Sequence, residues 1–226
     1  MPPHLDAQPE GLEGWPADAV VAWAIAAFGS HLALASSFGA EDMVLIDLAA
    51  PHRPRPNLFY LDTGLLFPET YDLIRQVERH YQWPATRVAP ELTLVDQARN
   101  FGPSLWERDP DTCCRLRKVE PLQRHLRGKA AWMTGIRRAQ TPARRKARVL
   151  EWDSRFGLWK VNPLVDWSWE AVLAYLQQHA VPHNPLHHSG YPSIGCLPCT
   201  TAVATGEDPR AGRWRGQVKT ECGLHQ

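Results

Sequence analysis

The chain has 226 residues, with 25 Lys and Arg against 24 Asp and Glu, so its formal net charge is only +1. That balance excludes a general nucleic-acid coat, whose affinity needs a large cationic excess, and 44% hydrophobic with 22% charged residues excludes a disordered chain. No apolar run reaches the roughly 18 residues that a membrane-spanning helix needs.

The length suits one substantial domain, at roughly 100–200 residues each. Such a chain buries about 70% of the surface it exposes when unfolded, so it needs no disulfide staples. The apolar stretch Ala19 to Phe28 follows acidic residues and lacks a basic flank, which speaks against a signal peptide. The expected location is the cytoplasm, where five cysteines point to metal ligands or nucleophiles before disulfides.

Met1 to Gly14, rich in Pro, Gly and acidic residues, is expected to be a flexible N-terminus. Pro16 opens a helix through about Phe28. Leu32 to Ala35 reads as a buried strand ending at the loop Ser36-Ser37-Phe38-Gly39-Ala40-Glu41-Asp42, and a helix follows. Asn57 to Leu61 is a second strand, ending at Asp62-Thr63-Gly64. Pro68 to Tyr81 has helical spacing, Ala85 to Val88 is a strand, and Thr93 to Asn100 is a helix. Thr112 is expected to cap a helix to about Leu126, and Ala130 to Thr134 is a fourth strand. Arg148 to Trp152 and Leu158 to Asn162 follow as short strands, and Ser168 caps a helix to about Gln178. Beyond Ala180 the Pro, Gly, His and Cys content is loop chemistry. Strands alternating with helices of this length predict an α/β fold: a mainly parallel sheet with helices on both faces. Ligands in such folds sit at the carboxyl ends of the strands, where these motifs fall.

Cys113 and Cys114 are adjacent, while Cys196 and Cys199 form a Cys-x-x-Cys. Neighbours on a helix diverge by about 100°, too wide to grip one small ion. Zinc wants four ligands, with sulfurs at about 2.3 Å, and its cysteines are usually spaced by two to four residues. An iron–sulfur cube offers separate corners to separate thiolates. The pattern suits a four-iron cluster better than zinc, and leaves zinc or plain buried thiols open. Cys222 lies in a terminal stretch with few packing reasons for a cysteine. Lys219 or His225 nearby would favour its thiolate, and the alternative is a harmless exposed thiol.

The loop Ser36 to Asp42 could cradle a phosphate with backbone N–H groups at a helix N-terminus, or be an ordinary turn. Together with Asp62-Thr63-Gly64 it outlines a nucleotide pocket. Arg137, Arg138 and Arg144, and further on Arg210 and Arg213, could clamp an anion or form a basic solvated face. His179, His183, His187 and His188 are irregularly spaced between prolines and read as loop histidines, not metal ligands.

Taken in order, these motifs resemble the assimilatory sulfonucleotide reductases, most closely the iron–sulfur adenylyl-sulfate (APS) reductases. The resemblance runs from about Leu32 to His225. It rests on Ser36 to Asp42, Leu61 to Gly64, Cys113-Cys114 with Lys118, and Thr134-Gly135-Ile136-Arg137-Arg138. Ser193 to Thr200, Arg210-Ala211-Gly212-Arg213-Trp214 and Glu221-Cys222-Gly223-Leu224-His225 complete it. It implies an adenine nucleotide alpha-hydrolase-like fold with a catalytic domain over 15–208 and a mobile tail over 209–226. It implies attack by Cys222 on the sulfur of APS, release of AMP, and discharge of the S-sulfocysteine as sulfite by thioredoxin or a similar reductant. Cys113, Cys114, Cys196 and Cys199 match the ligands of a [4Fe-4S] cluster of structural and electrostatic role, and Lys118 a lysine between cluster and substrate. Ser36, Ser37, Phe38, Gly39, Asp62, Thr63, Gly64, Lys118, Arg137, Arg138, Arg210, Arg213 and His225 match substrate-binding positions. Thr201 departs from the pattern, which often has arginine after the Cys-x-x-Cys-Thr.

Reductases for the 3′-phosphorylated substrate, PAPS, lack the two cysteine pairs, so the resemblance favours APS, with a PAPS or dual enzyme as the near alternative. A nucleotidyl transferase of the ATP-pyrophosphatase type and a zinc-binding module are the more distant ones. No nucleic-acid or membrane partner is expected. Oligomeric state stays open, a homo-oligomer included.

Overall fold

The computed structural model describes residues 8–225. Six strands form one sheet: β1 (Leu32–Ala35), β2 (Asn57–Leu61), β3 (Thr86–Val88), β4 (Ala131–Met133), β5 (Leu150–Asp153) and β6 (Leu158–Val161), in the spatial order β3-β2-β1-β4-β6-β5. β1 and β4 are unbroken apolar runs, the pattern of strands covered on both faces. They pair in parallel, with Leu34 beside Met133. β2 is parallel to β1 and β6 to β4, while β5 runs antiparallel to β6. The strand order reverses at β1, whose neighbours β2 and β4 lie on opposite sides. That makes the carboxyl ends of β1 and β4 the switch point where α/β folds form a crevice.

Among the described residues eight α-helices accompany the sheet: α1 (Ala17–Phe28), α2 (Ala40–Ala49), α3 (Pro68–Tyr81), α4 (Leu94–Phe101), α5 (Leu105–Arg108), α6 (Pro110–Cys114), α7 (Glu120–His125) and α8 (Trp169–Gln178). α2 packs against both α1 and α8, which explains why Met43, Val44, Leu45 and Ile46 are all buried on consecutive positions. Its Asp47 accepts hydrogen bonds from the hydroxyls of Tyr81 and Tyr175, each at 2.8 Å. Ser168 caps α8 by accepting from the Ala171 N–H, as its sequence suggests. Among the described residues no helix is long and apolar enough to cross a membrane.

The chain divides into two compact units. The first comprises the described residues up to Tyr60, then 74–86 and 126–183. The second comprises 61–73, 87–125 and 184–225. The described part of the segment 209–226 falls in the second unit. Trp214 and Glu221 of that tail are buried, and Arg210 pairs with Glu221 at 3.3 Å. These contacts pack the described part of the tail within the second unit. Its last residue, Gln226, lies outside the described residues.

In two places the local structure departs from what composition suggests. Of the segment read as flexible, Met1 to Ala7 lie outside the described residues, but Leu12–Gly14 form a 3-10 turn with Leu12 buried. Glu13 pairs with Arg138 at 2.8 Å and Arg148 at 3.3 Å within the first unit. Composition cannot reveal one anchoring leucine. The helix expected over Thr112 to Leu126 starts earlier and is not uniform. Asp109 caps α6 by accepting from the Thr112 N–H at 3.0 Å, with Pro110 in the first turn. After Cys114 the backbone passes through a π-helical turn, Arg115–Val119, before α7.

Candidate active site

The first unit places the Ser36 to Asp42 loop at the end of β1. Ser36 is held by its N–H on the Phe59 carbonyl, and its hydroxyl accepts from the Phe38 N–H at 3.0 Å. Phe38 takes a left-handed conformation, φ 58°, and its buried ring packs edge-on against Tyr60. Gly39 caps α2. The donors of this loop are aimed inward at an anion, as the phosphate-cradle reading requires, but that anion is the chain's own Asp42. Its carboxylate accepts from the Ser37 N–H at 2.5 Å and the Ser37 hydroxyl at 2.7 Å, and from the Gly135 N–H. Burial pushes the Asp42 carboxyl up to about 6, against the lowering by the Ser37 donors. Gly135, at the end of β4, is glycine for lack of room: a Cβ there would lie 2.5 Å from Asp42 Oδ1 and 3.2 Å from the Asp42 N.

Arg137 and Arg138 follow. The Arg137 guanidinium is buried, bonds Glu41 Oε1 at 2.9 Å and lies over Trp169. Arg138 holds Glu13, Asp166 and the Ala147 carbonyl. Two of the arginines that could clamp an external anion are thus engaged by carboxylates of the same unit.

The second unit collects the remaining candidates. Asp62 accepts from the Gly64 N–H at 2.9 Å, the Tyr71 hydroxyl at 2.6 Å and Arg87 Nε at 2.5 Å. Burial opposes its charge, yet these three donors hold its carboxyl below the ordinary value. Asp62 is the knot of its turn. Gly64 sits at φ +69°, and a Cβ would come within 3.3 Å of Arg117 Nη2. Thr63, fully buried, has its hydroxyl 3.4 Å from Cys196 Sγ.

A small cavity, partly open to solvent, is lined by Cys113, Cys114, Cys196 and Cys199 together with Arg117, Lys118, Leu65, Trp106 and Pro110. Cys113 and Cys114 come from the last turn of α6. Cys196 and Cys199 flank a 3-10 turn that is tied down by the Leu197 N–H on the Leu65 carbonyl at 2.7 Å and by the Trp214 N–H on the Cys199 carbonyl at 3.0 Å. Burial, then the charge of the neighbouring sulfurs, pushes the Cys114 thiol up to about 11 and the Cys199 thiol up to about 12. The four thiols converge on one place.

The cavity tests which metal group these residues suit. Among the described residues no three or more His, Cys, Asp or Glu side chains are grouped to hold a single metal ion. Four sulfurs spread around a common cavity fit a wider cluster better than one zinc. The Trp214 indole N–H, whose backbone pairs with Cys199, is buried without a hydrogen-bond acceptor among the described residues. A buried orphan donor is costly unless an acceptor arrives.

Cys222 is half-buried in the docked tail, and His225 shares that environment. Burial works against the Cys222 thiolate, but Lys118, the Leu224 N–H and Arg213 outweigh it and hold the thiol below its ordinary value. Lys118 is the converse case. Burial disfavours its ammonium, and the charges of Cys196, Cys222 and Cys114 raise it regardless. Arg213 lies over the Trp214 ring at 4.5 Å and donates to Ser193 at 3.3 Å. At Thr201, where arginine is often found, Arg215 donates from Nε at 3.3 Å, so a guanidinium reaches this loop from another position.

The structure therefore gathers all five cysteines, Asp62, Thr63, Gly64, Lys118, Arg210, Arg213 and His225 in the second unit. Ser36, Ser37, Phe38, Gly39, Arg137 and Arg138 belong to the first. Sequence reading did not single out Glu41, Asp42 or Gly135 for a role, nor Gln97, Arg117 or Trp214. The one available signal was position within or beside the motifs, and Gln97 lacked even that.

The fold first defines the class. The structure aligns with an FMN adenylyltransferase from Candida glabrata at TM-score 0.61, 13% identity, 92% of this chain and 74% of that one. With an NAD synthetase from Campylobacter jejuni the score is 0.52 at 8% identity, over 77% of this chain and 75% of that one. At such identities the likeness concerns the fold alone, an adenine nucleotide alpha-hydrolase-like sheet. The family follows from sequence. Residues 31–202 match the phosphoadenosine phosphosulfate reductase domain, and the chain belongs to that family of oxidoreductases acting on a sulfur group. It is 49% identical to an adenosine 5′-phosphosulfate reductase of Geobacillus thermodenitrificans, over 91% of this chain and 88% of that relative. It is 47% identical to a phosphoadenosine 5′-phosphosulfate reductase of Gloeobacter violaceus, over 98% and 92%. A solved PAPS reductase from Candida auris, in a phosphate complex, superposes at TM-score 0.76 with 32% identity, over 88% of this chain and all of that one.

Proposed function

We propose that this enzyme reduces APS to sulfite and AMP through an S-sulfocysteine on Cys222, with thioredoxin or a similar dithiol as reductant. Cys113, Cys114, Cys196 and Cys199 hold a [4Fe-4S] cluster in this reading. The observation that carries it is the placement of Cys222 in the unit of the four converging thiols, with Lys118 and Arg213 favouring its thiolate.

The chemistry is two displacements at sulfur. The Cys222 thiolate attacks the sulfur of the phosphosulfate, an S–S bond forms, the S–O bond breaks, and AMP leaves with that electron pair. A thiolate of the reductant then attacks Cys222 Sγ, sulfite departs, and the second thiol of the reductant frees Cys222 and closes a disulfide. Lys118 and Arg213 offset the negative charge of the reacting groups. A cluster bound by the four thiolates would tie their segments together and add a local negative charge. The reading assigns nucleotide contact to Ser36, Ser37, Phe38, Gly39, Arg137 and Arg138, and to Asp62, Thr63, Gly64, Arg210 and His225. An anion entering the Ser37 nest would have to replace the Asp42 carboxylate.

The two cysteine pairs support APS as substrate. PAPS is the second reading, favoured by the name of the Gloeobacter relative, whose identity is nearly that of the APS-named one. Anaerobically purified protein and Cys222→Ser are each incubated with sulfur-radiolabelled APS or PAPS without reductant, then run on a non-reducing gel. Label from APS on the wild type alone, discharged as sulfite by reduced thioredoxin, is the expected result. Label from PAPS alone would reverse the substrate. Label from neither would end the covalent mechanism.

A further inference from the structure

Trp214 holds its backbone in the left-handed region, φ 48°, which is rare for a bulky side chain. Such a conformation persists only where the surroundings over-determine it. Here the Trp214 N–H donates to the Cys199 carbonyl at 3.0 Å, Arg213 forms an antiparallel bridge with Thr200, and the indole is buried. The ring carries two cations. The Arg213 guanidinium lies 4.5 Å from its centroid and Lys219 Nζ lies 5.5 Å from it, both inside the roughly 6 Å reach of a cation–π contact. Lys219 is also paired with a carboxylate, that of Asp111.

Arg213 has no such partner. Arg137 pairs with Glu41, Arg138 with Glu13 and Asp166, and Arg210 with Glu221. Among the described residues no carboxylate pairs with Arg213. Its Nη1 donates to the Ser193 hydroxyl at 3.3 Å, and its Nε is buried without an acceptor among the described residues. A carboxylate could fix this guanidinium equally well, but would neutralise it. An aromatic face attracts the charge and leaves the in-plane N–H groups free to donate. Gly195 completes the seat. A Cβ there would lie 2.6 Å from Arg213 Cζ and 3.0 Å from its Nε, so any side chain would displace the guanidinium.

We propose that Trp214 is a positioning residue for anion recognition: its ring holds Arg213 in place without neutralising it, and so presents a charged, partly unfilled fork to the phosphosulfate of the substrate. The inference rests on the reading that Arg213 faces that group beside Cys222.

The test uses the full chain, purified anaerobically, as wild type, Trp214→Phe, Trp214→Leu, Gly195→Ala, Arg213→Met and the double variant carrying Trp214→Leu and Arg213→Met. Each is titrated in single turnover, without reductant, with sulfur-radiolabelled APS, or with PAPS if that is what labels wild type. The half-saturating concentration and the maximal rate of labelling are read separately. Trp214→Leu keeps an apolar side chain but no ring, and should raise the half-saturating concentration about 5- to 30-fold. Trp214→Phe keeps a π face and should stay within about threefold of wild type. Gly195→Ala leaves the ring intact, pushes on the flexible end of Arg213 and should match Trp214→Leu, which guards the test against misfolding of the leucine variant. In the Arg213→Met background, Trp214→Leu should add less than about twofold, because the two residues act through one contact. Equal losses in the Leu and Phe variants, or a full further loss in the double variant, would mean that Trp214 does not act through Arg213 and would overturn the proposal. Arg213→Met as good as wild type, or a wild type labelled by neither nucleotide, would overturn the reading of the site and the proposal with it.

Discussion

Replacing Gly135 by alanine adds one methyl group at the end of β4, in the tightest corner of the first unit. The new Cβ would lie 2.5 Å from Asp42 Oδ1, 3.0 Å from Glu41 Cβ and 3.2 Å from the Asp42 N. The carboxylate can rotate away, but only by leaving the Ser37 N–H and hydroxyl, which it holds at 2.5 and 2.7 Å. The other two atoms belong to the first turn of α2 and cannot move without the helix. Overpacking of this kind costs about 1–3 kcal/mol, and weakening a hydrogen bond to a charged group adds about 1 kcal/mol or more. A total of roughly 2–4 kcal/mol lowers the melting temperature by about 4–16 °C, at about 2–4 °C per kcal/mol for a chain of this size. Thermal unfolding followed by far-ultraviolet circular dichroism reads this directly. Gly14→Ala is the control, because a Cβ there meets nothing within 4 Å. It should shift melting by no more than about 2 °C. If Gly135→Ala melted within that same margin, the close approach of the β4 end to the α2 terminus would be wrong, and with it the account of Asp42.

Two more outcomes follow from the electrostatics. Alkylation of Cys222 by iodoacetamide, read on its own peptide by mass spectrometry, should reach half its maximal rate at a pH below the ordinary thiol value, since only the thiolate reacts. Lys118→Met removes the leading cationic cause, so the midpoint should move up; a midpoint that stayed or fell would exclude Lys118 as the source. Glu41→Gln leaves the Arg137 guanidinium, whose side chain is 7% exposed, without its carboxylate, and should cost about 3–5 kcal/mol in urea unfolding. Adding Arg137→Met should restore part of that loss, whereas a double variant no better than the single one would contradict the pairing.

The sheet was legible because its central strands are short, wholly apolar and bounded by Gly, Ser and Asp. The Ser168 and Thr93 caps could be read from side chains that bond their own backbone three residues on. The five cysteines were legible as chemistry, since a thiol has few bland uses in such spacing. What escaped was pairing over long distances. Nothing local tells that Arg137 answers Glu41, or that Arg138 answers Glu13, 125 positions away. Both arginines look like free anion clamps until their carboxylates are placed. Gln97, buried on α4, escaped for the opposite reason, because a glutamine on a short polar helix suggests the solvent side. The two-unit division was hidden as well, since of the crossings after Tyr60, Leu73, Thr86, His125 and His183 only the last coincides with a change in composition.

The π turn over Arg115–Val119 acts as a phase shifter. In a regular helix, the direction of Cys113 and Cys114 would dictate that of Leu122, because each residue adds about 100° of rotation. Accommodating one residue more than an α turn holds releases that constraint, so the sulfurs of α6 and the buried Leu122 of α7 are aimed independently. Shortening this stretch by one residue would leave every side chain of both helices intact, yet turn one end about a quarter revolution against the other. Segment length, as much as residue identity, is what sets the bearing of the paired thiols.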